Sequence, residues 1–332
     1  MTQKNWVDKI LMIGKRIICG SVITVLLLIL VLVTMIKYMD KKREEFLAEA
    51  EYVVVILSKT EDGVYQVERE MTEASSGDWD YSRKRGTIVF DDNENIVEKS
   101  VATGEERRFA IQNLEELKDT YLKEEYSEDE EIVKKIRPYL LRDVRYLPND
   151  YDLSFRIGEY LYIWNRDKNE VKEAGISLKA QSYGPMRCWW MEGGDLMFIY
   201  KDSDKRGNAL ARWYREEGKT EDIEYNMEVF LLDEEKGVLY GIQEEIFYNQ
   251  HIGYYNNFKL IEKNWETGEK RVIIEDYTSD ITNRLAMGEN KLFYVNDGMW
   301  ETKHEIMCVD IKTGAGECIY STKNYIVGMI VQ

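Results

Sequence analysis

The residues best suited to hold a ligand are aromatic: Trp189, Trp190, Trp213, Trp265, Trp300 and the pair Tyr254-Tyr255. Such rings combine a large contact area with a polar handle. Trp189 and Trp190 are neighbours in a run of strand character, so their rings must point to opposite faces. One is expected to pack between structural units and the other to face a channel or solvent. Tyr254 and Tyr255 fall in EEIFYNQHIGYYNN, the longest break between strand-like runs, where a binding loop is expected because function concentrates in loops on rigid scaffolds. The expected binding residues are therefore Trp189, Trp190, Tyr254 and Tyr255.

Residues for covalent or metal chemistry lack their usual company. The two histidines, His251 and His304, are far apart and stand in no metal-ligand spacing, so each is expected at the surface and no metal site is expected. GxSxG, P-loop, GxGxxG and CxxC patterns are absent, leaving no catalytic residue and no cofactor to assign. Among 62 Asp and Glu, carboxylate pairs arise by chance and single out no glycosidase. Asp202-Ser-Asp-Lys-Arg-Gly-Asn208 opens like a calcium loop, but Arg206 and Trp213 stand where ligands are needed, which favours a strand-joining turn. Cys308 and Cys318 flank KTGAGE in a hairpin-like stretch; a disulfide and two free thiols both fit that placement.

Between Arg16 and Lys37 runs IICGSVITVLLLILVLVTMI. It is uncharged and long enough, at about 1.5 Å per residue, to cover a hydrocarbon core of roughly 30 Å. No small-x-small cleavage site follows, so residues 17–36 read as an uncleaved transmembrane helix behind a short cytoplasmic tail, 1–16. Residues 37–50, rich in helix formers and charge, read as a stalk. Lys and Arg are balanced across the span. The chain carries −17 overall and +4 over residues 1–38, leaving −21 beyond them. Long domains translocate largely regardless of charge, so the large domain is expected outside a cell membrane. Its acidity argues against nucleic-acid phosphates and anionic headgroups as ligands.

The elements that must position the aromatic residues are mostly strands. Aromatics make up 12% of the chain, with 23 Tyr and only 3 Pro, a bias that suits packed sheets. YVVVIL and VYQVERE predict one hairpin, TIVF and IVEKS a second. From about Arg107 to Leu141 the periodicity turns helical, with Pro138 expected to kink or end the second of two helices. From Tyr151 a unit repeats: DLSFRIGEYLYIWN, RCWWMEGGDLMFIYK, EVFLLDEEKGVLYGIQ and NRLAMGENKLFYVND, with Leu161, Leu196, Leu239 and Leu292 at spacings of 35, 43 and 53 residues. A second hairpin follows in the last three units. Four short strands per roughly 40 to 50 residues is the period of a propeller blade. The terminal YIVGMIVQ reads as a first strand with no second, so it is expected to pair with the strands of 52–70 or 87–100 and close the ring.

These strand pairs, with the turns WETGEK and IKTGAGE, resemble bacterial six-bladed propellers of the TolB-like type. The resemblance covers Tyr151 to the end and implies an all-β, propeller-like repeat domain of about five to six blades. Two departures are a short first unit and a helical insertion before Tyr151. The expected division is thus an N-terminal β region with the insertion, 51–150, and propeller-like repeats, 151–332. The expected function is a membrane-tethered extracytoplasmic binding or scaffold module for a protein, peptide or glycan at the cell surface, without catalysis. The alternatives are a glycoside-active enzyme with paired carboxylates in the channel and a sensory subunit signalling through the membrane.

Overall fold

Short apolar-aromatic strands broken by turn residues cannot bury both faces alone, and here they stack around an axis. The computed structural model describes residues 29, 31–39, 41, 50–72, 79–126, 130–177, 188–202, 207–249, 253–277, 280–297 and 303–332. Two compact units result, Met1–Ala50 and Glu51–Gln332. Of the first, residues 31–39 are helical, and Val31, Leu32, Val33, Met35 and Ile36 are exposed. No helix among the described residues is long and apolar enough to cross a membrane. The expected span 17–36 and the tail 1–16 lie largely or wholly outside the described residues.

The second unit is a six-bladed propeller. Blade one comprises β3 (Trp79–Ser82), β4 (Thr87–Asp91), β5 (Ile96–Ser100) and β6 (Glu106–Phe109). Blade two comprises β7 (Leu141–Tyr146), β8 (Leu153–Ile157), β9 (Tyr160–Asn165) and β10 (Glu170–Ser177). Blade three holds β11 (Cys188–Trp190), β12 (Leu196–Asp202), β13 (Gly207–Tyr214) and β14 (Lys219–Tyr225). Blade four holds β15 (Met227–Asp233), β16 (Val238–Asn249), β17 (Gly253–Asn264) and β18 (Lys270–Tyr277). Blade five holds β19 (Asp280–Met287), β20 (Lys291–Asp297), β21 (His304–Asp310) and β22 (Gly316–Thr322).

The sixth blade joins the two ends of the propeller: β23 (Tyr325–Val331) lies inside β1 (Tyr52–Lys59), which pairs with β2 (Tyr65–Thr72). The expected closure by the terminal strand is present. β23 and β1 run parallel, from Tyr52↔Tyr325 to Leu57↔Val331. The other blades alternate direction, so their first and third strands run the same way. A parallel β23–β1 pair is thus a blade in which strand one meets strand three directly, with position two omitted. Gly328 lets β23 pack close against blade one, since a Cβ there would fall 1.8 Å from the Trp79 ring.

Six apolar clusters fill the six spaces between blades. Val89 and Phe155 belong to the one between blades one and two, Leu161 and Trp213 to the next. Leu210 and Leu239 follow, then Ile242 and Leu292, then Phe293 and Val55, and finally Ile330 and Ile88, which completes the circle. Between blades one and two the buried Glu98 accepts hydrogen bonds from Tyr146 at 2.8 Å and from Arg85 and Arg166 at 3.2 Å. Burial opposes its charge, but the Arg166 and Tyr146 bonds outweigh it and hold the carboxyl below its ordinary range.

Three expectations need correction. The repeat begins earlier than Tyr151: DLSFRIGEYLYIWN supplies β8 and β9, the second and third strands of blade two, and its first strand is β7. The LLRDVRY stretch continues the apolar spacing of the preceding helix, which hides the strand. The helical stretch is correspondingly shorter, with α1 at Leu114–Glu125, α2 at Glu130–Ile136 and a 3₁₀ turn at Arg137–Tyr139. Tyr121 and Leu122 of α1 join the cluster between blades one and two. Finally, Tyr254 and Tyr255 are not in a loop, because β16 and β17 form one long hairpin that includes them.

Candidate functional site

All six inner strands begin on one face of the ring, the start face, and end on the opposite, finish face. Near their ends they enclose a central cavity of about 340 Å³. Its wall takes Tyr81 from β3, Arg145 from β7, Trp189 from β11, Leu231 and Leu232 from β15, Met287 from β19 and Val331 from β23. Each innermost strand has one edge without a neighbouring strand in its sheet, so backbone donors and acceptors also border the channel.

Trp189 and Trp190 divide as their adjacency demands. Trp190 is 7% exposed, crosses the Trp213 ring edge-on and donates its indole N–H to Ser154 Oγ at 2.8 Å. It packs blade two against blade three. Trp189 lines the cavity and is 39% exposed. Its indole N–H donates to Glu234 Oε1 at 3.1 Å, and Glu234 Oε2 accepts the Glu192 N–H at 2.8 Å. A turn of blade four thereby sets the ring's angle before any ligand arrives.

The polar part of the cavity was not legible in the sequence. Asp80 Oδ2 accepts the Tyr146 N–H at 2.8 Å and Oδ1 the Tyr81 N–H at 2.9 Å, tying β3 to β7. Burial raises its carboxyl above the ordinary value although Arg145 and the two amides favour the charged form. Burial likewise pushes the Cys188 thiol up to about 12, so it is no thiolate nucleophile at neutral pH. The one signal available beforehand was position: Asp80, Tyr81 and Arg145 each lie in the first strand of a blade.

A second depression, of about 530 Å³, lies between blades two and three on the finish face. Asp152, Glu170, Glu173 and Glu192 line it with Lys168, Lys172 and Arg215. It has no aromatic wall, whereas the aromatic-lined cavity has one carboxylate, Asp80, among its described lining residues. Neither offers two carboxylates facing each other across an aromatic slot, the arrangement a glycosidase needs.

The remaining candidates resolve simply. Cys188, Cys308 and Cys318 are free thiols, with Cys308 buried and Cys318 exposed. They take different cross-strand partners, Cys308↔Glu317 and Met307↔Cys318, which removes the disulfide alternative. His304 is buried rather than exposed and packs on the Tyr325 ring at 4.8 Å. His251 lies outside the described residues, as do 203–206, although Asp202 pairs with Gly207 across the β12–β13 hairpin. No His, Cys, Asp or Glu cluster among the described residues could hold a metal ion.

Compared with solved structures, the chain is similar to TolB from Acinetobacter baumannii, with 11% identity, a TM-score of 0.51 and coverage of 83% of this chain. It spans 65% of the length of that protein. A structure described as TolB from Agrobacterium tumefaciens matches at 7% identity and a TM-score of 0.55, over 85% of this chain and 94% of the other. The fold is therefore that of a TolB-like six-bladed propeller. No known protein family matches the sequence, and no curated protein does.

Proposed function

We propose that this propeller is a non-catalytic binding module, tethered to a cell membrane by residues 17–36, with its ligand held at the finish face. The observation that carries the reading is the placement of Trp189. A large aromatic ring, 39% exposed and oriented by Glu234, stands in the wall of a cavity whose other lining is mostly apolar and aromatic, with Trp79, Tyr81, Phe230 and aliphatic side chains beside Asp80 and Arg145. Holding such a ring at a wet, concave site costs free energy that burial against a ligand would return. The occupant that fits is a protein, peptide or glycan segment presenting an apolar or ring-shaped group, with Asp80, Arg145 and free strand edges offering polar partners. The uncharged run and the exposed apolar helical residues Val31, Leu32, Val33, Met35 and Ile36 support the tether.

The test uses the full chain in lipid nanodiscs, with captured surface proteins, peptides and glycans as ligands. Trp189→Ala should weaken binding about tenfold or more, the effect of losing a central aromatic anchor, and leave the melting temperature unchanged. Trp190→Ala should instead destabilise the fold by about 3–5 kcal/mol. Undiminished binding by the Trp189 variant would move the site elsewhere. Turnover of a glycoside, ester or peptide, abolished by a point substitution, would overturn the non-catalytic reading.

A further inference from the structure

The hairpin of blade four is longer than its sheet. β15 pairs with β16 as far as Met227↔Gln243, and β18 pairs with β17 from Phe258↔Tyr277. Yet β16 and β17 remain paired with each other, in unbroken register, out to Asn249↔Gly253. The chain beyond Gln243 is thus a two-stranded ribbon with no third strand on either side among the described residues. At about 3.3 Å per residue it projects roughly 20 Å from the ring. It leaves from the start face, because Gln243 lies opposite Met227, where an inner strand begins. The chain enters the ring on the same face, since Tyr52 lies beside Tyr325, the first residue of β23.

The ribbon's composition differs from that of the rest of the protein. Beyond Glu244 and Glu245 at its base, residues 246–258, IFYNQHIGYYNNF, contain no Asp, Glu, Lys or Arg in a chain that is 32% charged. Two cross-strand positions are aromatic on both sides, Phe247↔Tyr255 and Tyr248↔Tyr254. A lone two-stranded ribbon is marginally stable in water, so an aromatic, uncharged one calls for a surface to lie against.

We propose that this ribbon rests in the headgroup zone of the membrane that residues 17–36 cross, which holds the start face toward the bilayer and turns the cavity mouth away from it. The proposal rests on the tether put forward above. Tyr and neighbouring apolar residues favour the membrane interface, and the absence of charge removes the main obstacle to entering it. The ribbon's edges, covered by no third strand among the described residues, keep it out of the hydrocarbon, where unsatisfied backbone groups are costly. With −21 on the residues beyond 38, attraction to anionic lipid is not the driving term, so the contact should be insensitive to salt.

The test places a fluorescent reporter in the ribbon of the full chain, Tyr254→Trp, reconstituted in phosphatidylcholine vesicles. Its cross-strand neighbour, Tyr248→Trp, serves as the second variant if the first folds poorly. The added emission, relative to wild type, should lose most of its intensity to a headgroup-proximal nitroxide lipid. It should lose little to aqueous iodide and respond alike at low and high salt. Flotation of the vesicles reads the tether separately. A chain that does not float would overturn the tether and this proposal with it. A chain that floats while iodide quenches the new tryptophan would overturn the ribbon contact alone. Emission shielded from both quenchers would assign the ribbon to a protein partner or a second copy instead.

Discussion

Asp91 shows how a single side chain can make stability depend on pH. It ends β4, and burial raises its carboxyl to about 6, with the nearby Asp143 adding to the effect and the Asn93 N–H, at 3.2 Å, opposing it. A carboxyl with a raised folded pKa favours the native state below its unfolded value, near 4, and that contribution is lost as pH rises through 6. At pH 7 the charged form therefore costs up to about 3 kcal/mol, from roughly two pKa units at 1.36 kcal/mol each. Asp91→Asn keeps an acceptor for Asn93 and removes the charge. The variant should be more stable than wild type at pH 7 and equal to it near pH 4, which paired urea melts at the two values would measure. Equal stability at both would show that Asp91 is solvated.

Among elements, the turns between third and fourth strands are the most regular feature of the chain. Gly63, Gly104, Gly218, Gly268 and Gly314 occupy this turn in five blades with positive φ, and Asn169, at φ 48, takes it in blade two. In the last of them Asp310 Oδ1 accepts the N–H groups of Lys312 and Thr313 at 3.1 and 3.0 Å. Its carboxyl is held at about 2, first by the Thr313 amide and then by Lys291. Gly314 carries a second constraint, since a Cβ would fall 2.5 Å from the Ile273 carbonyl oxygen of blade four. Gly314→Ala should thus cost about 1–3 kcal/mol, combining left-handed strain with a backbone clash. Gly218→Ala, with nothing within 4 Å of its Cβ, should cost only the left-handed strain. Equal melting temperatures for the two would show that the Ile273 approach does not matter.

The whole molecule depends on closure. β23 buries Ile326, Val327, Met329 and Ile330 and contributes to both clusters flanking the sixth blade. At about 1.5–3 kcal/mol per buried side chain, the strand is worth on the order of 6–12 kcal/mol, comparable with the whole stability of a domain. It also covers the inner edge of β1, which would otherwise be open to pairing between molecules. Deleting residues 324–332 should therefore leave a protein that melts far below wild type or aggregates. A thermal melt of the truncated chain that matches the intact one would refute this.

The sequence alone determined what depends on neighbours along the chain. Strand pairs followed from β-branched and aromatic runs between turn residues, the blade period from their recurrence, and the closing strand from an apolar run without a second half. The opposed faces of Trp189 and Trp190 followed from adjacency in a strand. Only the tertiary structure decided what depends on neighbours across the ring. β7 was hidden because its apolar spacing continues that of the preceding helix, and its place became visible only once β8 and β9 proved to be second and third strands. Tyr254 and Tyr255 read as a loop because hydrophobicity falls where the β16–β17 hairpin leaves its sheet, although backbone pairing continues there. The cavity was least legible of all. Tyr81, Asp80, Arg145, Trp189, Met287 and Val331 come from five blades, and each occupies a first strand whose periodicity is set by packing between blades. Their convergence is a property of the closed ring, in which the ends of all six inner strands meet around one axis.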